Sequence, residues 1–500
     1  MRVGIVGGGP RALFAVERLW VHRLLDAPPL QVSVFDPHHP GFGAAYSVDQ
    51  PHFLRLNVTS AVVCAGWPGD RRVPSLDQWR AARGEAAPLD PFPPRATVGA
   101  YLQWFWSRLE EQTPRGALLD HRPRRVERLA RGESGWLIDG EAFDEVLLAT
   151  GHEGHWPGTL RGERVVPAVF PVARWLDAGH VPDGSRVVAR GAALTFIDAA
   201  LTLTEGRGGT FSGEWRTGLV YQPSGREPAV IRPLARSGRW MDPKPQPGTP
   251  QATDPTVVLE RGRSAVRAAR TPSQMTAAVR DTALAMGGAP ADVDELLTGG
   301  APSADATQLL RRRLAAVAGE APPDGAWALG HTWRGLYDEL RHRVEGVQPS
   351  DDFAAFAVLA GRLERVAFGP PPINAAKLLA LIDAGVIDPT GLGAGGTLAE
   401  ARMLGDADVI VDAVLPPPGV VAGSLTARLV DAGVLTRAPG RRGVAVDTDA
   451  TCLGAGGRLE SLACVGRATE DVVIGNDTLN RRLHPAIDGW ARRISAKGTP

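Results

Sequence analysis

The stretch that decides the fold is the first nineteen residues, MRVGIVGGGPRALFAVERL, Met1–Leu19. VGIV (residues 3–6) is wholly apolar, the pattern of a buried strand in a parallel sheet. RALFAVERLWVHRLL (residues 11–25) reads as a helix. Ala12, Val16, Leu19 and Leu24 lie close to one face, with Arg11, Glu17 and Arg18 elsewhere. QVSVFD (residues 31–36) reads as a second strand ending in Asp36. Between the first strand and the helix stand Gly7, Gly8 and Gly9, and the spacing Gly7-x-Gly9-x-x-Ala12 is G-x-G-x-x-A. In such a βαβ unit the first glycine permits a tight turn and the second lets the backbone approach a pyrophosphate. The small third residue lets helix and strand pack. The helix N-terminus offers N–H groups and partial positive charge to the phosphates. Asp36 stands at the strand tip, where an acid accepts ribose hydroxyls. The order strand, loop, helix, strand, acid predicts a dinucleotide-binding fold.

Length and charge bound the rest. Five hundred residues predict two or three domains. Lys plus Arg number 55 and Asp plus Glu 55, so the net charge is zero and no basic surplus points to nucleic acid or an anionic membrane. No apolar run is long enough to span a bilayer. With a strand starting at Arg2 or Val3 there is no room for a signal peptide. Three cysteines, Cys64, Cys452 and Cys464, form neither a disulfide framework nor a C-x-x-C pair. The expectation is a cytoplasmic protein without a structural metal.

Further along, LNVTSAVVCAGWP from Leu56 reads as loop and strand, where Asn57 either contacts a cofactor or stabilises a turn. A helix after FPPR carries Tyr101, Trp104 and Phe105, expected in the core. FDEVLLAT is an apolar strand closed by Thr150-Gly151-His152, and glycine after a buried strand allows close approach to a ligand. His152 and His155 are three apart, without a third ligand for a metal. RVVARG followed by LTFIDAALTLTEG repeats the strand, glycine turn and helix. Gly191 is present, but Ala193 stands where the second glycine is expected, and its methyl would crowd a pyrophosphate. This unit is either a second dinucleotide fold or a purely structural one. From Asp254 to Phe368 come separate helical patterns with polar links, a helical insert that could cap a substrate. Strand patterns return in ADVIVDAVL and LACVGRATED, and a helix ends the chain.

Several stretches together, IVGGGPRALFAVERL, LRLNVTS, FPPRATVGAYL, VLLATGH, RGAALTFIDAALTLTEGRGG, QPSGREP, PPPINAAKLLALIDAG and NDTLNRRL, resemble the FAD-NAD(P)-binding family of bacterial flavoproteins. That family is similar in layout to flavin-dependent N-hydroxylating lysine and ornithine monooxygenases. The resemblance implies an α/β protein with two Rossmann-like folds, the second inserted in the first, plus the helical insert. Its implied domains are 1–165 (FAD, first part), 166–253 (NAD(P)H-like), 254–370 (helical insert) and 371–500 (return to the FAD fold and C-terminal helix). It implies FAD at Gly7, Gly9 and Asp36, a crossover between cofactor domains at Ala149, Thr150 and Gly151, and Gly466 near the flavin. Ala193 departs from the family's second motif.

The implied reaction is NAD(P)H-dependent: FAD is reduced, oxygen adds to it, and the hydroperoxide N-hydroxylates a small amine or amino-acid-like substrate. This needs no protein nucleophile, and no Ser-His-Asp set, G-x-S-x-G or H-E-x-x-H stands out. Catalytic residues, oligomeric state and the choice between NADPH and NADH are open. Two other readings stand beside it. One is an FAD-dependent oxidase or dehydrogenase with a vestigial nicotinamide site, and the other is a flavin-carrying sensor or scaffold.

Overall fold

The computed structural model describes residues 1–154, 156–245, 255–299, 305–393, 407–476 and 478–497. The first sheet has six strands. β1 (Arg2–Val6) lies at its centre, parallel to β2 (Leu30–Phe35), with β3 (Ala117–Arg122) beyond β2. An antiparallel set, β4 (Leu129–Arg131), β5 (Trp136–Ile138) and β6 (Glu141–Phe143), stands apart as a three-stranded sheet. It leads into β7 (Glu145–Leu148), which pairs with the other side of β1.

The chain then leaves this sheet and builds a second one. β8 (Val165–Val166), β9 (Arg186–Arg190) and β12 (Val230–Leu234) belong to it, with the hairpin of β10 (Thr210–Glu214) and β11 (Gly218–Gln222) between the last two. Its remaining strand, β13 (Val409–Asp412), arrives from far down the chain and pairs in parallel with β9 and β8. Finally β14 (Thr451–Gly454) and β15 (Gly457–Cys464) rejoin the first sheet, β15 lying parallel to β7. The stretch 371–500, expected to return as a whole to the first fold, therefore divides between the two sheets. β13 was unreadable as a second-sheet strand because four apolar-rich residues, VIVD, carry no pairing address.

Helices cover the sheets. α1 (Pro10–His22), α2 (Leu76–Ala82) and α3 (Arg95–Glu111) belong to the first unit, and α4 (Val172–Trp175) and α5 (Leu194–Leu203) to the second. The insert is α6 (Pro255–Ala268), α7 (Pro272–Ala285), α8 (Pro290–Thr298), α9 (Ala306–Ala318), α10 (Gly325–Val344) and α11 (Asp351–Ala367). α12 (Pro372–Asp383), α13 (Leu425–Asp431) and α14 (Pro485–Lys497) follow. Capping explains the starts. Thr271, Asp305, Asp324 and Ser350 each accept a backbone N–H three residues on, satisfying an otherwise orphaned donor.

Two local expectations fail. α1 stops at His22, so Leu24 is not on its buried face but 58% exposed; Arg23 turns to extended backbone ahead of Pro28-Pro29. The stretch from Leu56 forms a short 3-10 turn at Ser60–Val62 and no strand, because Ser60 N–H and Leu56 N–H are taken by the carbonyls of Pro91 and Pro93. Tyr101 and Phe105 are buried as expected. Tyr101 donates to Pro74 O (2.6 Å) and accepts from Ala65 N (2.9 Å).

Candidate functional site

The first glycine loop is shaped from both sides. Gly7 has φ +104°, a left-handed backbone that favours glycine, and a Cβ there would collide with the carbonyl oxygen of Ala149. Its N–H donates to Phe35 O (2.9 Å), while Ala149 N–H donates to Val6 O (2.8 Å), so the loop is stitched to β2 and to the end of β7. Gly8 rests on the next element: a Cβ would lie 2.8 Å from that of Asp36.

Gly9 differs. Its φ is −74°, open to any residue, and an added Cβ would meet only Gly43 Cα, at 3.6 Å. The protein has room for a side chain here, so glycine keeps open a space beside the backbone at the start of α1. That space fits a pyrophosphate. Gly9 is the N-cap of α1 without a side-chain cap, and its carbonyl accepts from Ala12 N (2.9 Å) and Leu13 N (3.4 Å). Ala12 is fully buried between helix and sheet.

Asp36 stands where expected, but its carboxylate also holds the loop. Oδ2 accepts from Gly8 N (2.7 Å) and Oδ1 from His38 N (2.9 Å). Each oxygen keeps a lone pair for a ribose hydroxyl. Gly466 (φ +81°) follows β15, whose last pair joins Cys464 to Leu148, and a Cβ on it would lie 3.5 Å from Arg11 Cγ. The structure thus brings Gly7, Gly9, Ala12, Asp36, Thr150 and Gly466 around one helix N-terminus. Gly151 (φ +69°) is exposed just beyond.

Asn57 is elsewhere. Its Nδ2 donates to Phe368 O (3.4 Å), tying the first unit to the end of the helical insert. His155 lies outside the described residues.

Sequence reasoning missed several neighbours. Gly43 (φ +56°) packs back to back with Gly9, and Gly41 N donates to Gly8 O (2.7 Å). The signal was the GFG of residues 41–43 five residues after Asp36. Arg11 donates to Asn476 O (2.6 Å) and Thr478 O (2.7 Å), pinning the chain's late segment over α1. Beside it, burial, with Arg11 and Arg481 nearby, holds His484 well below the ordinary imidazole range. Its Nε2 donates to Thr478 O (3.0 Å).

Gly191 sits in the other sheet and repeats the turn of the first loop, without a counterpart to the Gly8–Asp36 bond because Ala235 has no carboxylate. Its φ is +108°, its N–H donates to Leu234 O (2.8 Å), and Ala413 N donates to Arg190 O (3.0 Å). A Cβ on Gly191 would lie 3.2 Å from Ala413 O. Ala193 is the N-cap of α5 as Gly9 is of α1, and its carbonyl accepts from Phe196 N (3.0 Å) and Ile197 N (3.2 Å). The correspondence puts Ala235 in the place of Asp36, and the exposed Arg236 follows it.

Residues 4–153 match the family model described as FAD-NAD(P)-binding. These residues are an FAD-NAD(P)-binding domain. The domain spans β1 through the Thr150-Gly151 crossover, so it contains the glycine loop and Asp36 together. Beyond it, the chain is 32% identical over 257 residues to a nitrosuccinic acid synthase of Aspergillus oryzae, covering 46% of this chain and 39% of that protein. It is 31% identical over 276 residues to an L-aspartate N-monooxygenase (nitrosuccinate-forming) of Streptomyces cremeus, covering 46% and 41%. The chain thus spans about two-fifths of the length of these curated relatives. Among solved structures, an ornithine N-hydroxylase of Kutzneria sp. 744 aligns over 99% of both chains at 14% identity, TM-score 0.47. Among the described residues, no helix is long and apolar enough to cross a membrane.

Proposed function

We propose that this chain is an FAD-dependent monooxygenase that uses NADPH to hydroxylate the amine nitrogen of a small amino-acid-like substrate. The observation that carries the reading is the pair of glycine turns with matching backbone bonds, one on each of the two larger sheets. A monooxygenase of this kind needs two dinucleotide cradles. The names of the two relatives, both tied to nitrosuccinate chemistry on an amino acid, support the same reaction. When bound, FAD supplies the redox chemistry, taking a hydride from NADPH and passing electrons to oxygen. One oxygen atom goes to the amine nitrogen and the other leaves as water, balanced by two electrons from NADPH and a proton.

The chain's own residues bind and orient. Gly9 and the start of α1 receive the FAD pyrophosphate, and Asp36 its adenosine ribose. The loop 191–193 receives the nicotinamide cofactor. Ala235 in the acid's place removes a repulsion for a 2′-phosphate, and the neighbouring Arg236 supplies an attraction, which favours NADPH over NADH. Ala193 favours a second reading, an FAD-dependent oxidase whose nicotinamide site is closed by that methyl.

Anaerobic mixing with NADPH decides between them. The monooxygenase reading expects the flavin absorbance to bleach, faster with NADPH than with NADH. In air, it expects an N-hydroxylated product from an amino acid such as L-aspartate. A purified, FAD-loaded protein that does not bleach would sink it and promote the oxidase.

A further inference from the structure

Two cations at the seam between the helical insert and the rest of the molecule have no carboxylate partner among the described residues. Lys244 is only 5% exposed, and among the described residues its ammonium makes no ion pair. Its Nζ stands over the ring of Phe368, 5.0 Å from the centroid, and its backbone N–H donates to Pro370 O (2.9 Å). Arg334, on α10, donates Nη1 to Ala367 O (2.7 Å) and makes no ion pair either among the described residues. Both are therefore held against the same turn, residues 367–368. Asn57 of the FAD-NAD(P)-binding domain reaches that turn from the other side, through Phe368 O. The Phe368 ring meets Tyr337, one turn along α10 from Arg334, edge to face at 6.0 Å.

Three acids of this region pair with another cation. Asp242, Asp292 and Asp324 all converge on Arg313, at 3.3, 3.1 and 2.5 Å. Arg365 is occupied by Ser237 Oγ and Arg239 O. Arg334 has a structural use, since it satisfies the last carbonyl of α11 and complements that helix's dipole. Lys244 has none of this kind. Burying an ammonium without a carboxylate is costly, and a second cation nearby raises the cost. Desolvation first, and then Arg334, depress its pKa well below the usual lysine value. A fold that keeps such a group keeps it for an anion that arrives later.

We propose that Lys244 and Arg334 form a carboxylate-binding site for the substrate, over Phe368 and next to the domain that holds FAD. Resting on the monooxygenase reading, this makes the substrate an acidic amino acid: a side-chain carboxylate on the two cations and its amine directed toward the flavin. Arginine supplies a planar fork and lysine a point charge, and a carboxylate between them relieves their mutual repulsion.

The test is calorimetric titration of the FAD-loaded full chain with L-aspartate, with succinate, which has both carboxylates and no amine, and with n-butylamine, which has only the amine. The wild type should bind L-aspartate and succinate and not n-butylamine. Lys244→Met and Arg334→Gln should each weaken both acids by roughly tenfold or more. Lys244→Met should melt no lower than the wild type, because it removes a buried amine without a hydrogen-bonding carboxylate, so its lost binding cannot be unfolding. Succinate failing to bind the wild type, Lys244→Met binding it unchanged, or Lys244→Met melting well below the wild type would each overturn the site. Lys244-dependent succinate binding in a protein that NADPH does not bleach would keep the site and sink the monooxygenase reading. N-hydroxylation of L-aspartate with an unchanged KM in both variants would do the reverse.

Discussion

The three glycines at the head of the chain serve three purposes, and substitution separates them. Gly7 is demanded by the protein, through its φ of +104° and the Ala149 carbonyl against it. Gly7→Ala should lower stability by about 1–3 kcal/mol, read as a lower urea midpoint even for protein stripped of flavin. Gly9 is not demanded by the protein, since an added Cβ would meet only Gly43 Cα at 3.6 Å, and on the proposed reading it is kept for the ligand. Gly9→Val should fold with a wild-type midpoint when both are stripped of flavin, yet purify colourless. A yellow variant with full flavin content would show that the pyrophosphate lies elsewhere. Asp36 combines both roles, because its oxygens bind Gly8 N and His38 N while facing the ribose position. Hydrogen bonds to a charged group contribute about 1.5–3 kcal/mol, so Asp36→Ala should weaken FAD by roughly ten- to a hundred-fold. Asp36→Asn, which keeps one acceptor oxygen, should fall between, and equal affinity in all three proteins would remove Asp36 from the site.

At the scale of elements, the strand–loop–helix of β9 and α5 repeats the turn and helix-start bonds of β1 and α1, with Ala192, Ala193 and Phe196 in the places of Gly8, Gly9 and Ala12. Ala193 has φ −96°, so glycine is not needed for the turn. If a nicotinamide cofactor docks there, the methyl holds its pyrophosphate off the helix start. Ala193→Gly should then lower the KM for NADPH, by an amount equivalent to about 1 kcal/mol, the net worth of one recovered hydrogen bond. Arg236→Ala should raise the KM for NADPH roughly tenfold while leaving that for NADH nearly unchanged, since only NADPH carries the 2′-phosphate. Equal changes for both cofactors would show that Arg236 does not read that phosphate. No change from Ala193→Gly would show the loop to be structural.

Across the whole molecule, the two sheets are tied by Arg95 at the start of α3 and Asp198 on α5, 2.7 Å apart, with Asp198 only 3% exposed. Burial pushes the Asp198 carboxyl up, and Arg95 opposes it. Removing Arg95 alone leaves an uncompensated buried charge, so Arg95→Met should cost about 3–5 kcal/mol near neutral pH. Asp198→Asn should cost less, because Arg95 keeps the Arg55 carbonyl (3.0 Å) and partial access to water. The sign with pH follows from linkage. In Arg95→Met the folded carboxyl binds its proton more tightly than the unfolded one, so stability is lost as pH rises and regained as it falls. The deficit should shrink from about pH 8 toward pH 5. Urea melts across that range check it, and a pH-independent deficit would mean that the ion pair does not link the sheets.

The sequence by itself determined the first cofactor unit. A strand, a glycine loop, a helix and an acid follow one another within Arg2–Asp36, and local chemistry dictates each. Gly7 and Gly191 were legible for the same reason, since a left-handed turn after a buried strand admits little but glycine. The capped helices of the insert were legible too. What only the tertiary structure decided rests on partners distant in the chain. β13 joins a sheet whose nearest strand in space, β9, precedes it by more than two hundred residues, and four apolar-rich residues say nothing of which sheet they enter. That Asn57 reaches Phe368 could not be read in advance, because the contact spans 311 positions. Lys244 and Arg334 look in the sequence like ordinary surface cations. Whether a charge is paired depends on which carboxylates the fold brings near it, and here Asp242, Asp292 and Asp324 go to Arg313, while among the described residues these two cations have none.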